Sequence, residues 1–352
     1  MDNFTIVKFT TQPITIPLKR PFVTHLHTVK AIEAVQLQLF LKNGLVGTGT
    51  ATPNPVVTGD NLTSLKLVLD QLIGPQMIGQ TLTQLEPLFN KLTHCVVGNT
   101  PAKAAADIAI HDLLSQRYQV PLTQLLGGAK QSMTTDYTIS IGPRKQMVTE
   151  AQSLVKAGFT ALKIKIGNQA VIEDVATVRA IATAVGPQIN LRLDVNQGWS
   201  YKQALQAIHY FELADLHPAF LEQPLPANQL TSLAQLRQVS PIPIMLDESV
   251  FSPQEALRVI TLHAADYINI KLMKSGGLHA ATIINQLCAT AGIPCMVGCM
   301  IEAPTSIAAA VAFANAHRNV HFIDLDSLLM IAPNQAQLGK LHCDGPRLWL
   351  EK

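Results

Sequence analysis

From about residue 133 onward, short β-rich runs alternate with helix-like stretches at intervals of roughly 25 residues, and this rhythm limits the fold more than any other feature of the chain. The candidate strands are 134–140, 161–166, 190–195, 219–222, 242–246, 266–270, 294–297 and 321–324. Helix-like segments lie between them near 145–157, 170–184, 201–213, 228–239, 253–262, 276–291 and 302–316. Eight strands with seven intervening helices describe an α/β protein, a (β/α)7β modified TIM barrel. A doubly wound open sheet is the alternative. The nearly even units favour closure, and no Gly-rich dinucleotide fingerprint follows the first strand.

The preceding residues have a different pattern. Residues 5–18 and 30–41 mix β-branched and aromatic residues with polar ones, as strands do, and Lys42-Asn43-Gly44 turns into a third strand at Leu45–Ala51. A Pro/Gly/Thr loop, ATPNPVVTGDN, leads into helical periodicity from Leu62 to about Arg117. The expected organisation is therefore an α+β unit over 1–125 followed by the barrel over 126–326.

A chain of 352 residues suits a barrel with a smaller companion, and 48% hydrophobic against 14% charged residues supplies a large core and excludes disorder. A net charge of +2 without a basic block gives no footprint for nucleic acid. Five cysteines (Cys95, Cys288, Cys295, Cys299, Cys343) form no CxxC pair, and the opening MDNFTIVKF lacks a basic region followed by an apolar run, so a reduced cytoplasmic protein is expected. The most apolar stretch, 305–314, is short and Ala-rich, which does not support a membrane span.

Active sites of parallel barrels sit at the C-terminal strand ends. Those ends read Lys163-Ile164-Lys165, Asp194-Val195-Asn196, Glu222-Gln223, Asp247-Glu248, Lys271 and Asp324-Leu325-Asp326. Asp194, Glu222 and Asp247 follow one another at spacings of 222 − 194 = 28 and 247 − 222 = 25, one βα unit apiece. A single Asp at such a junction is more often a helix cap, but three in register would repel one another unless a cation joins them. An all-oxygen set suits magnesium better than zinc. Lys163 and Lys165 share one side of their strand, and Leu162, Ile164 and Ile166 take the other. Lys271 belongs to the sixth strand, across the barrel from the second, so amines would face the centre from both sides, as inversion at a stereocentre requires. For a lysine to act as a base its pKa must fall from about 10.4 to ~7.5, roughly 4 kcal/mol, which a second ammonium close by could contribute.

KIKIG at 163–167, DVNQGW at 194–199, LEQPL at 221–225, LDES at 246–249 and INIKLMKSGG at 268–277 resemble the muconate-lactonizing subgroup of the enolase superfamily. The likeness covers essentially the whole chain, including Pro21-Phe22 and VVTGD at 56–60. DYTIS at 136–140, GCMIE at 298–302 and DLD at 324–326 are similar to the dipeptide epimerases within it. The resemblance implies Mg2+ on Asp194, Glu222 and Asp247, Lys165 and Lys271 as the acid/base pair, and Lys163 on the substrate carboxylate. It also implies that Asp324 and Asp326 hold a dipeptide's α-ammonium, with Thr138 in the same pocket, in keeping with same-facing carboxylates accepting charge-assisted hydrogen bonds. The α+β unit would be a capping domain completed by about 327–352, and the enzyme a homo-oligomer. His27 stands where relatives acting on Ala-Glu carry an arginine, and an imidazole cannot replace the bidentate fork, so a neutral or apolar second residue is expected. Met296, Met300 and Ile301 are candidate specificity residues, with core packing the default for such side chains. Other reactions of the subgroup, N-acylamino acid racemisation, o-succinylbenzoate synthesis or cycloisomerisation, are the alternative.

Overall fold

The computed structural model describes residues 2–24, 28–129, 131–335 and 337–351. It opens with an antiparallel sheet of β1 (Ile6–Val23), β2 (Thr28–Leu41) and β3 (Val46–Ala51), in that order. β2 buries both faces. Val35, Leu37, Leu39 and Leu41 pack in one core with the helices that follow, whereas Ile32 and Ala34 join Ile16 and Leu18 of β1 in the core shared with the barrel. The long helix Thr100–Tyr118 lies directly on β3: a Cβ on Gly47 or Gly49 would meet the carbonyl oxygens of Ala109 and Ala105 at 2.2 and 2.0 Å. Small residues on both elements thus permit backbone-to-backbone packing.

The barrel strands are β5 (Tyr137–Ile139), β6 (Ala161–Lys165), β7 (Asn190–Asp194), β8 (Leu221–Glu222), β9 (Ile244–Leu246), β10 (Tyr267–Ile270), β11 (Cys295–Gly298) and β12 (Val320–Asp324), neighbours in chain order and parallel. The helices between them bury one stripe each. In Tyr201–Leu213 the buried residues are Ala204, Ala207, Ile208 and Phe211, and Ser200 starts the helix with Gln203 in a reciprocal capping box. Phe220, Tyr267 and Phe322 meet edge to face inside the barrel, with centroids 5.0–6.2 Å apart, and with Met245 and Met296 they plug its floor. Met296 is therefore a core residue.

Two expected elements differ in the structure. The run 134–140 splits because the chain changes partners at Thr135 and Asp136. β4 (Met133–Thr134) pairs with the C-terminal hairpin of β13 (Leu341–Asp344) and β14 (Arg347–Leu350), whereas Asp136 N–H turns to Ile323 C=O of β12. The helix 276–291 starts later, as Leu278–Thr290, because Gly276 and Gly277 take positive φ values of 82° and 118°. We propose the division of the chain expected from the sequence, at 125/126. The C-terminal segment touches both parts, Ile331 bridging Leu18 of β1 before the hairpin reaches β4. No helix among the described residues is long and apolar enough to cross a membrane.

Candidate active site

The period-2 pattern of each strand puts Thr138, Lys163, Lys165, Asp194 and Glu222 on inward positions, while Leu162, Ile164 and Ile166 pack in the shell under the helices. At the C-terminal strand ends a cavity of about 460 Å³ opens beneath the N-terminal sheet. Thr138, Lys163, Lys165, Asp247, Lys271, Met300, Ile301, Asp324 and Asp326 all line it, with Asp194 and Glu222 fully buried behind them. Lys165 and Lys271 stand on β6 and at the end of β10, four strands apart in a ring of eight. The roof contributes Phe22, Val29, Pro53, Pro55 and Val57, together with Lys30 and Asn54. His27 lies outside the described residues.

The charged groups form one network. Lys163 Nζ contacts Glu222 Oε2 at 2.7 Å, Asp324 Oδ2 at 2.8 Å and Asp194 Oδ2 at 3.0 Å. Lys165 Nζ donates to Asp194 Oδ2 at 2.6 Å and to Asn196 Oδ1 at 2.8 Å. Lys271 Nζ donates to Asp247 Oδ2 at 2.7 Å. On the far side of Asp247, the fully buried Lys274 contacts Oδ1 at 2.7 Å and donates to the carbonyls of Asp247, Val250 and Asn269.

These contacts set the charge on two of the lysines. Burial alone would lower the pKa of Lys163 and Lys271, and Lys163 does push Lys271 down, but carboxylates outweigh both effects. Asp194, Asp324 and Glu222 hold Lys163 well above the ordinary lysine value, and Asp247 does the same to Lys271. In this charge state neither is a base near neutral pH.

The acids show where positive charge is lacking. Among the described residues no three acidic, His or Cys side chains gather into a ready-made coordination cluster, because ammonium groups lie against Asp194, Glu222 and Asp247 instead. Yet Glu222 Oε2, Asp247 Oδ1 and Glu248 Oε2 are buried without a hydrogen-bond donor, Oε2 and Oδ1 having only the lysine charge contacts already given. Burial, then Asp194 and Asp247 nearby, push Glu222 up to about 7, and Glu248 reaches about 7 for similar reasons. An all-oxygen, acid-rich donor set, with Glu248 Oε2 left without any partner beside it, fits a hard divalent cation. Asp326 likewise rises to about 7 through burial and its neighbour Asp324, which Lys163 and Lys271 hold down at about 2.

Several supporting residues escaped sequence reasoning. Gln223 Oε1 accepts from the backbone N–H groups of Asp247 and Ser249, and Asn196 Nδ2 donates to Glu248 Oε1. Both residues have positive φ, 39° for Gln223 and 44° for Asn196, where non-glycine residues are uncommon and often mark functional sites. Lys274 had a visible signal, a second lysine three residues after Lys271 next to a double glycine.

Residues 6–127 match the family model "Mandelate racemase / muconate lactonizing enzyme, N-terminal domain", and residues 146–339 match "Enolase C-terminal domain-like". The substrate-liganded L-Ala-D/L-Glu epimerase of Bacillus subtilis superposes with a TM-score of 0.96 at 38% identity, covering 98% of this chain and 96% of that one. A dipeptide epimerase of Enterococcus faecalis, solved with Mg and L-Leu-L-Tyr, gives 0.94 at 37% identity, covering 99% and 98%. A hydrophobic dipeptide epimerase of Enterococcus faecalis is 41% identical over 313 residues, 89% of this chain and 87% of the relative. The chain belongs to the mandelate racemase / muconate lactonizing enzyme family, on its dipeptide epimerase branch.

Proposed function

We propose that the protein is a magnesium-dependent isomerase that epimerises dipeptides of the L-Ala-L-Xaa type, with a neutral or apolar second residue. One of Lys165 and Lys271 removes the proton alpha to the carboxylate, and the other returns a proton to the opposite face. The observation that carries this reading is that the two lysines line one cavity from strands on opposite sides of the barrel. Lys163 binds the substrate carboxylate, and Asp194, Glu222 and Asp247 hold the metal. Bound magnesium would supply Lewis-acid stabilisation of the charge that develops on the substrate carboxylate and would compete with Lys163 and Lys271 for the carboxylates that raise their pKa. Asp324 and Asp326 take the free ammonium of the first residue. In support, Asp326 is a buried acid with no cation within ion-pair distance among the described residues, while Asp324 is already paired with Lys163.

The apolar walls Phe22, Val29, Pro53, Pro55, Val57, Met300 and Ile301 favour an apolar second side chain, whose burial is worth roughly 1.5–3 kcal/mol. An acidic second residue has one observation in its favour, the Lys30 ammonium at the rim. Lys30 is exposed, and exposed pairs are worth about 0.2–1 kcal/mol, so the apolar reading prevails.

The test is proton NMR of L-Ala-L-Phe in heavy water with the enzyme and Mg2+. Loss of the phenylalanine α-proton signal with growth of the L-Ala-D-Phe resonances is expected. No exchange across a panel of L-Ala-L-Xaa dipeptides would overturn the proposal. Exchange of N-acyl amino acids that survives Asp326→Asn would favour another reaction of the subgroup.

A further inference from the structure

The cavity walls β6 to β12 are joined by continuous strand pairing, but β5 and β12, whose meeting closes the ring, share no such ladder. Among the described residues one backbone bond crosses between them, Asp136 N–H to Ile323 C=O at 3.2 Å. Side chains do the rest. Leu325 N–H donates to Thr135 Oγ1 at 2.8 Å, and Thr138 N–H donates to Asp326 Oδ2 at 2.6 Å. Arg192 of β7 reaches through the interior, and its Nη1 donates to Asp136 Oδ2 at 2.7 Å and to Ile323 C=O at 3.0 Å.

We propose that Arg192 and Asp136 are positioning residues for ammonium recognition, closing the β5–β12 seam so that Asp324 and Asp326 are held at a fixed place and direction. The inference rests on the proposed role of those two carboxylates.

Three features of the geometry support it. Arg192 ties β5, through the Asp136 carboxylate, to the β12 carbonyl immediately before Asp324, so the anchor is one residue from the acid it aims. The guanidinium is itself fixed. It is buried, and it lies over the floor rings of Phe322 and Phe220 at 5.2 and 5.9 Å. Finally, Asp326 is a member of the seam as well as of the pocket, since Thr138 N–H occupies one of its oxygens. Slack in the seam would therefore displace Asp326, which lies beyond the end of the β11–β12 ladder, and loosen the Thr138 side of the Asp324 carboxylate, while leaving Lys165 and Lys271, on the laddered wall, where they are. The arrangement is also specific to arginine. Both bonds leave a single nitrogen, Nη1, and what a lysine would lose is the planar guanidinium that lies over Phe322 and Phe220 and fixes the direction of that nitrogen. Its cost is visible in Arg192 Nε and Asp136 Oδ1, both buried without a hydrogen-bond partner, a deficit a merely packed interior would avoid.

The inference is tested by steady-state kinetics on L-Ala-L-Phe with Mg2+, comparing Arg192→Lys and Thr135→Val with the parent. Thr135→Val removes a different seam bond by a near-isosteric change, and so remains informative if Arg192→Lys folds poorly. Each variant is expected to raise KM, by about tenfold for Arg192→Lys, with kcat within about threefold, because misplacement affects the ammonium and not the lysines. In the Arg192→Lys/Asp326→Asn double variant, KM should be no higher than in Asp326→Asn alone. Unchanged KM in both single variants, a fall in kcat at constant KM, or additive effects in the double variant would overturn the inference. An Asp326→Asn variant that itself keeps the parental KM would instead remove the premise.

Discussion

The two sides of the cavity are built on different principles. From β6 to β10 the wall is a backbone ladder, five consecutive residue pairs joining β6 to β7 alone, and its functional groups are locked to one another by charge. At the β12–β5 seam the ladder is replaced by side chains, and the groups facing the cavity there are two buried acids bonded to Thr138 of β5. The rigid wall carries the residues proposed to move protons, and the side-chain-closed seam carries those proposed to recognise the substrate's free end. Chemistry demands placement to a fraction of an ångström, which a ladder supplies, whereas recognition of an ammonium needs only a matched charge at a defined distance. Damage to the wall should therefore appear in kcat, and damage to the seam in KM.

The largest effect that can break this comparison comes from the wall lysines. Lys165→Ala and Lys271→Ala should each lower epimerisation by about 10³-fold with little change in KM. The opposed geometry predicts something sharper. With one lysine gone the other can still abstract from its own face, so each variant should exchange the α-proton of one epimer with solvent and fail with the other, the two variants showing opposite preferences. Mass spectrometry of L-Ala-L-Phe and L-Ala-D-Phe incubated separately in heavy water reads this out. Loss of exchange from both epimers in either variant would mean the lysines do not work independently from two sides.

The wall and the Asp324/Asp326 pair were legible in the sequence and the closure of the seam was not, for a physical reason. Strands and helices announce themselves through periods of 2 and 3.6 within a few residues, and three carboxylates one βα unit apart mark the strand ends without knowledge of what touches what. The seam depends on Thr135 and Asp136 abandoning one neighbour for another near residue 323, a choice that local pattern does not encode. The surroundings of Lys163 were hidden for the same reason. Lys163 and Lys165 are two residues apart in sequence, but the groups that dominate Lys163 are Asp194, Asp324 and Glu222, on three other strands. The same holds for the junction between the N-terminal sheet-and-helix unit and the barrel. Asp107, in the helix Thr100–Tyr118, accepts from Leu278 N–H at 2.6 Å and His279 N–H at 3.2 Å, capping a barrel helix from 171 residues away.

That junction gives the second prediction. The capped helix begins a few residues after Lys271, and a Cβ on the intervening Gly277 would strike the Asp107 carboxylate at 2.3 Å, so the loop is held tightly against Asp107. Asp107→Ala removes the cap and should destabilise the protein by about 2 kcal/mol, measured by urea unfolding. If the loop after β10 belongs functionally to the wall, the folded variant should lose kcat several-fold and keep its KM. A rise in KM at constant kcat would place this loop with the seam and blur the division between the two sides.

The smallest expected effect is a titration within the wall. Asp174 accepts from Gly167 N–H at 3.1 Å, just after β6, and from the Trp199 indole Nε1–H at 3.3 Å, just after β7. Burial raises its pKa to about 6, and those two hydrogen bonds only partly oppose the rise. The sign follows from linkage. A carboxyl whose folded pKa lies above its unfolded value of 3.8 stabilises the fold fully below about pH 4, and that contribution is lost as the pH rises through about 6. The stability of the parent, relative to Asp174→Asn, should therefore fall between pH 4 and 6.5 and level off above. Of the two tryptophans, Trp199 sits against this carboxyl, so intrinsic fluorescence should show a step with a midpoint near pH 6 that Asp174→Asn abolishes. Because Asp174 links the loops that follow Lys165 and Asp194, its ionisation should add nothing to the pH dependence of the KM for L-Ala-L-Phe that Asp326 sets, so parent and Asp174→Asn should show the same KM profile. A KM step near pH 6 present in the parent and absent from Asp174→Asn would show that the laddered wall, and not the seam alone, sets substrate affinity.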